Sequence, residues 1–192
     1  IADLEFWQLS QTQQKHSRPF RILSAGVFHH RKGYHLSLQA FALFLKSRSD
    51  CEYWLFGDGP ERESLIALSD ELEIDTKIRF VGRVPRKVFL ENLVHGDVFL
   101  HPSLHESGGF VIAEALAAGR PVICLDHGGP ALQVNINNGF KIIPKSPEYV
   151  IHEIVAALMK LYDDEMLRGN MYSDAIEGIK AVYLWSKKCV MI

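Results

Sequence analysis

Cysteine is scarce in this chain. Its 192 residues hold three, Cys51, Cys124 and Cys189, odd in number, far apart and never in a C-x-x-C pair. That pattern excludes a disulfide framework and a cysteine-rich zinc site, and it reads as reduced thiols in a cytosolic protein. Long apolar runs are missing too: none reaches the ~20 residues that a bilayer-crossing helix requires. The opening stretch, IADLEFWQLSQTQQKHSRPF, has neither the basic start nor the apolar core of a signal peptide. It also lacks an initiating Met, which reads as a piece of a longer chain. Basic residues form no block. With 21 Lys and Arg against 23 Asp and Glu, and a net charge of −2, nothing tracks a phosphate backbone, which argues against nucleic acid as the main partner. No G-x-S-x-G marks a nucleophile elbow, and no G-x-G-x-x-G follows the first apolar run, so a nicotinamide dehydrogenase is a poor reading.

What is present is ordinary globular material, 47% apolar and 23% charged, enough to build a packed core. Residues 1–18 are polar and Gln-rich after a short apolar patch at Phe6 and Trp7, and read as a linker or leftover helix. One domain is expected over 19–192. From Phe20 onward a rhythm sets in of short apolar run, turn and longer amphipathic stretch. The apolar runs FRILSAGV (20–27), EYWLFG (52–57), KIRFVG (77–82), DVFLHP (97–102), PVICLD (121–126) and FKIIP (140–144) read as six strands. Helices are expected at 32–47, from the GDGP turn to about Leu72, after Pro85, at 109–118, at GGPALQV, and as a pair over 147–181.

Strands that are apolar on both sides, alternating with helices, indicate a doubly wound parallel sheet covered on both faces, a Rossmann-like α/β fold. Ligands in such sheets sit beyond the C-terminal strand ends where the strand order reverses. For the order 3-2-1-4-5-6, that point lies between strands one and four. The loops there are GVFHHRKG (26–33) and HPSLHESGG (101–109).

The second of these loops carries Glu106 at the mouth of a turn through Ser107, Gly108 and Gly109, and the helix that follows carries Glu114. A helix N-terminus offers unpaired N–H groups and partial positive charge, and glycines let a ligand reach the backbone. Glu114 lies roughly 9 Å further along at ~1.5 Å per helical residue, and both carboxylates sit on one side of one element. They suit gripping hydroxyls along a polyol ligand better than flanking one glycosidic bond. The bland alternative is a helix cap at Glu106 and a solvated helix residue at Glu114. In the first loop, Arg31 and Lys32 precede Gly33. An Arg fork and a Lys point charge beside a helix start suit a diphosphate, although two surface bases would look the same. GDGP (57–60) resembles part of a glycine-rich phosphate loop but follows the second strand and reads as a tight turn, whereas LDHGGP (125–130) reads equally as a second flexible backbone near this edge or as a plain turn. His101 and His105 are four residues apart but lie off any helix and lack a third ligand, which weighs against a metal site.

The run HPSLHESGGFVIAEALAAGRPVICLDHGGPALQV resembles the signature of retaining GT-B glycosyltransferases, the large family-four group. RKG, LFGDGP and RFVGRV agree with it in order and spacing, and the likeness extends over 20–186, including the late Trp185-Ser186 pair. The resemblance implies the C-terminal, donor-binding half of a GT-B fold, with residues 1–18 as the remnant of an N-terminal acceptor domain. It implies that Glu114 holds ribose hydroxyls, and that Glu106 faces the donor hexose beside the backbone of Gly108, Gly109 and Phe110. Lys32 would bind the diphosphate next to Gly33, with the nucleobase near Arg83 and Val84. Relatives usually carry an Arg several residues before that Lys; here Gly26 or Val27 stands there and Arg31 is the candidate substitute. Gly108-Gly109-Phe110 likewise stands where many members have Phe-Gly. The implied partners are a nucleotide-diphosphate sugar and a glycan or lipid-linked acceptor. No metal or resident cofactor is implied, and the setting is the cytoplasm, with peripheral contact at the membrane face open to the full-length protein. By itself the chain is expected to bind nucleotide and transfer nothing. The rival readings are a GT-B nucleotide-sugar epimerase and a non-catalytic nucleotide-binding module.

Overall fold

The structure, a computed structural model, describes residues 18–183. Most of the 1–18 leader and the Trp185-Ser186 pair therefore lie outside the described residues. Six strands form one sheet: β1 (Phe20–Ala25), β2 (Cys51–Phe56), β3 (Ile78–Gly82), β4 (Val98–His101), β5 (Val122–Leu125) and β6 (Gly139–Ile142). Every pairing is parallel and the order is β3-β2-β1-β4-β5-β6. The reversal point thus falls between β1 and β4, where the common order 3-2-1-4-5-6 puts it.

Alternation along the central strands explains why these runs are apolar throughout. Ile22, Val98, Leu100, Ile123 and Leu125 point into one core, while Leu23, Phe99, Val122 and Cys124 point into the other. Helices α1 (Tyr34–Leu45) and α6 (Pro147–Asp163) cover the first face, and α3 (Arg86–Leu93), α4 (Phe110–Ala117) and α7 (Glu165–Tyr183) supply the second. Two further helices, α2 (Arg62–Glu71) and α5 (Gly128–Gln133), complete the connections. Each fully buried Leu, Ile or Phe contributes about 1.5–3 kcal/mol over its exposed state. Helix α6 is capped at its start: the Ser146 hydroxyl accepts from the Tyr149 N–H, and Pro147 opens the first turn. Among the described residues no helix is long and apolar enough to cross a membrane.

The first helix departs from expectation. The sequence suggests a helix over 32–47, but a 3₁₀ turn at His30–Lys32 comes first and α1 starts only at Tyr34. Gly33 breaks the two apart. Its φ is 66°, and a Cβ there would press into the Pro102 carbonyl oxygen. The close approach lets the β1 loop lie directly against the β4 loop, which matters for the site. The GDGP turn has a comparable scaffolding role: the Phe28 N–H donates to the Asp58 carbonyl at 2.9 Å, and the Glu61 N–H donates to the Phe28 carbonyl at 3.0 Å.

Candidate functional site

At the C-terminal ends of β1 and β4 an open cleft of about 880 Å³ runs along the sheet rim. Lys32, Glu106 and Glu114 line it, as do Gly108, Gly109 and Phe110. Arg83 and Val84, just after β3, line it too. Arg31 and Gly33 do not. The Arg31 side chain is exposed, and the residue contributes through its backbone instead: its carbonyl accepts from the Leu104 N–H at 2.8 Å and from the Ser103 hydroxyl at 3.4 Å. Gly33 acts as the contact point between loops described above. Of the two adjacent bases ahead of Gly33, Lys32 lines the cleft and Arg31 is exposed beside it.

The two loops meet through charge. The Lys32 ammonium donates to Glu106 Oε2, joining residues 74 apart in sequence, and both side chains are about four-fifths shielded from solvent. The facing His101 ring and then the Lys32 ammonium hold the Glu106 carboxyl well below the usual carboxylate range, so it is ionised at neutral pH. Glu106 does not cap α4. The cap position belongs to Gly109, with φ 63° and no side-chain hydrogen bond, so the first N–H groups of α4 open toward the cleft without a side-chain acceptor.

Glu114 is no solvated helix residue either. Its carboxylate is 15% exposed and accepts from Arg86 Nε at 2.8 Å, while Arg86 itself is 58% exposed. Arg86 stands in the first turn of α3 and lines the cleft. Both acids of the sequence motif thus have a cation beside them, each reached from a different loop.

The LDHGGP segment proves to be the brace of the glycine turn. The Gly129 N–H donates to the Glu106 carbonyl at 3.1 Å, and Gln133 Nε2 donates to the carbonyls of Gly108 at 2.8 Å and Gly109 at 3.3 Å. Side chains at Gly128 or Gly129 would collide with the Glu106 and Ser107 carbonyls, which accounts for the paired glycines without invoking ligand contact.

Two cleft residues escape the sequence reading. His101 ends β4, is 3% exposed, and brings Nε2 to 3.7 Å from Glu106 Oε2. Considered in sequence only as half of a metal pair with His105, it is set apart by its place at a strand end on the reversal point. Arg86 had only its position in the turn after β3 to mark it. Burial pushes the Cys51 and Cys124 thiols up to about 12 and keeps them protonated.

Residues 5–178 match the family model described as Glycosyl transferases group 1. Over 161 residues the chain is 30% identical to the lipopolysaccharide core biosynthesis glycosyltransferase LpsD of Rhizobium meliloti (strain 1021), covering 84% of this chain and 44% of that protein. The chain spans less than half the length of the curated relatives it matches. Among solved structures, the C-terminal domain of the group 1 family protein LpcC from Francisella tularensis superposes with a TM-score of 0.77 at 22% identity, covering 94% of this chain and 92% of that one. The pneumococcal O-GlcNAc transferase GtfA, solved with UDP and GlcNAc, gives 0.79 at 19% identity over 91% of this chain and 36% of that one. These structural likenesses speak for the fold, and the family match speaks for descent: the chain belongs to the glycosyl transferases group 1 family.

Proposed function

We propose that this chain is the donor-binding half of a retaining glycosyltransferase that moves a hexose from a nucleotide-diphosphate sugar to a glycan or lipid-linked acceptor. The observation that carries the reading is the meeting of Lys32 and Glu106, from loops after β1 and β4, in one open cleft that Glu114 also lines. A donor of this kind presents a diphosphate, a ribose and a hexose, and the cleft offers a cation, a carboxylate and a second carboxylate with a glycine backbone. In the reading, Lys32 takes the diphosphate, Glu114 accepts from ribose hydroxyls, and Glu106 faces the hexose. Arg83 and Val84 lie where the base would rest.

During transfer the bond from the sugar's C1 to the diphosphate oxygen breaks, and its electron pair leaves with the diphosphate. Lys32 and the uncapped start of α4 stabilise that growing charge, a kind of stabilisation commonly worth several kcal/mol. The acceptor hydroxyl bonds to C1 from the face the diphosphate leaves, and its proton goes to the departing oxygen. Stereochemistry is retained without a glycosylated enzyme carboxylate. We take the cationic groups to suffice for the leaving diphosphate, so the reaction proceeds without a metal, and the nucleotide sugar is a substrate rather than a resident cofactor.

The acceptor, and any peripheral contact with the cytoplasmic face of a membrane, belong in this proposal to an N-terminal half. The fraction of each relative that the chain spans supports this division of labour. The 192 residues alone accordingly bind nucleotide weakly and transfer nothing. Incubating the chain with UDP-, GDP- and ADP-glucose and an acceptor glycan, then the full-length protein with the same mixtures, tests this. Product from the full-length protein alone, with its anomeric configuration retained by NMR, is expected; turnover by the isolated chain, or an inverted product, contradicts it.

A further inference from the structure

His101 is a buried polar group with an unused atom. Its Nε2 has no hydrogen-bond partner among the described residues, and its side chain is 4% exposed. A buried polar atom left unpaired is costly, so one held this way calls for a partner that arrives at another stage. Glu106 Oε2 lies 3.7 Å from this Nε2, the same oxygen that the Lys32 ammonium occupies. The ring is firmly placed: it ends β4 in register with Cys124 of β5 and lies parallel to the Phe99 ring, at 15° between planes.

One lysine cannot serve two anions equally. If Lys32 turns to a diphosphate, Glu106 loses its closest cation while remaining four-fifths shielded from water. We propose that His101 is a positioning residue that receives Glu106 when Lys32 leaves it: the carboxylate moves a few tenths of an ångström toward the ring and accepts a hydrogen bond from Nε2–H. The exchange keeps Glu106 ionised and fixed in the cleft while it frees Lys32 for the diphosphate. His101 touches neither donor nor acceptor and acts through Glu106. The inference rests on the donor-binding reading above and adds to it the means by which the Lys32–Glu106 ion pair opens without leaving a stranded charge.

A double-mutant cycle tests it, with UDP, GDP and ADP as probes in isothermal titrations of the 192-residue chain. His101→Phe removes the receiving group and should weaken diphosphate binding by about tenfold, the worth of one hydrogen bond to a charged group. In a Glu106→Gln background Lys32 is already released, and the same substitution should change affinity by less than about twofold. His101→Gln, whose amide can donate from a similar position, should recover most of the loss. Equal losses in both backgrounds, or none in either, overturn the inference. A measurement on the unsubstituted chain stands beside the cycle: the ¹⁵N resonance of the His101 ring should shift when the tightest-binding diphosphate is added, and an unmoved resonance at saturation also overturns it. No binding of any nucleotide by the unsubstituted chain rejects the donor-binding reading itself, an outcome distinct from binding without coupling.

Discussion

The Lys32 ammonium closes on the Glu106 carboxylate across the gap between the β1 and β4 loops. The pair links the two segments that a doubly wound sheet brings together where its strand order reverses. In this pair the cation suited to a diphosphate is engaged by an acid. Ligand binding therefore entails exchange of partners, and each acid can be examined separately.

Glu114 is the acid to test for ribose. Replacing it with Gln should reduce affinity for the best-binding nucleoside diphosphate by about fivefold to tenfold, the cost of weakening a charge-assisted hydrogen bond. The sharper reading comes from the 2′-deoxy form of the same nucleotide. The unsubstituted chain should prefer the ribose form, and Glu114→Gln should bind the two nearly alike. A preference that survives the substitution places the ribose elsewhere.

Glu106 makes stability depend on pH. Its folded-state carboxyl is held below its unfolded value by the His101 ring and the Lys32 ammonium. The folded state therefore binds fewer protons, and the stabilisation is present above the unfolded pKa and lost as pH falls through the folded one. In urea titrations the gap between the chain and Glu106→Gln should be constant above about pH 5 and shrink below about pH 4. A gap unchanged down to the acid limit of folding contradicts the pairing.

Gly33 carries the junction between the two loops. An alanine there must hold a φ of 66° and push its Cβ against the Pro102 carbonyl. Gly33→Ala should cost roughly 1–3 kcal/mol by chemical denaturation and weaken nucleotide binding, because Lys32 is its neighbour. Gly169→Ala, inside α7 with open space around it, should instead raise stability by about 0.5–1 kcal/mol, because alanine is the better helix former, and serves as the control.

How far the sequence discloses this differs by level. The two-faced core is legible because Ile22, Leu23, Val98, Phe99 and their neighbours leave no polar face to either side of the sheet, and the strand order follows from taking the common doubly wound arrangement. The cleft's acids are legible because they flank a glycine turn at a strand end. The partners of those acids are not. Lys32 lies 74 residues from Glu106 and Arg86 lies 28 from Glu114, so the pairings exist only once the sheet is assembled. Arg31 and Lys32 look alike in sequence, and only the 3₁₀ turn ahead of Gly33 separates an outward base from an inward one. His101 is hidden for a related reason: nothing local distinguishes a core histidine from one whose Nε2 faces a carboxylate.

The most direct measurement is an isothermal titration of UDP-, GDP- and ADP-glucose into the chain and into Lys32→Ala. One of the three donors should bind with measurable heat, and Lys32→Ala should lose at least about tenfold of that affinity, as expected when a charged hydrogen bond to a phosphate is removed. Equal binding by both proteins, or no heat from any donor, contradicts the account of the cleft as a nucleotide-sugar site.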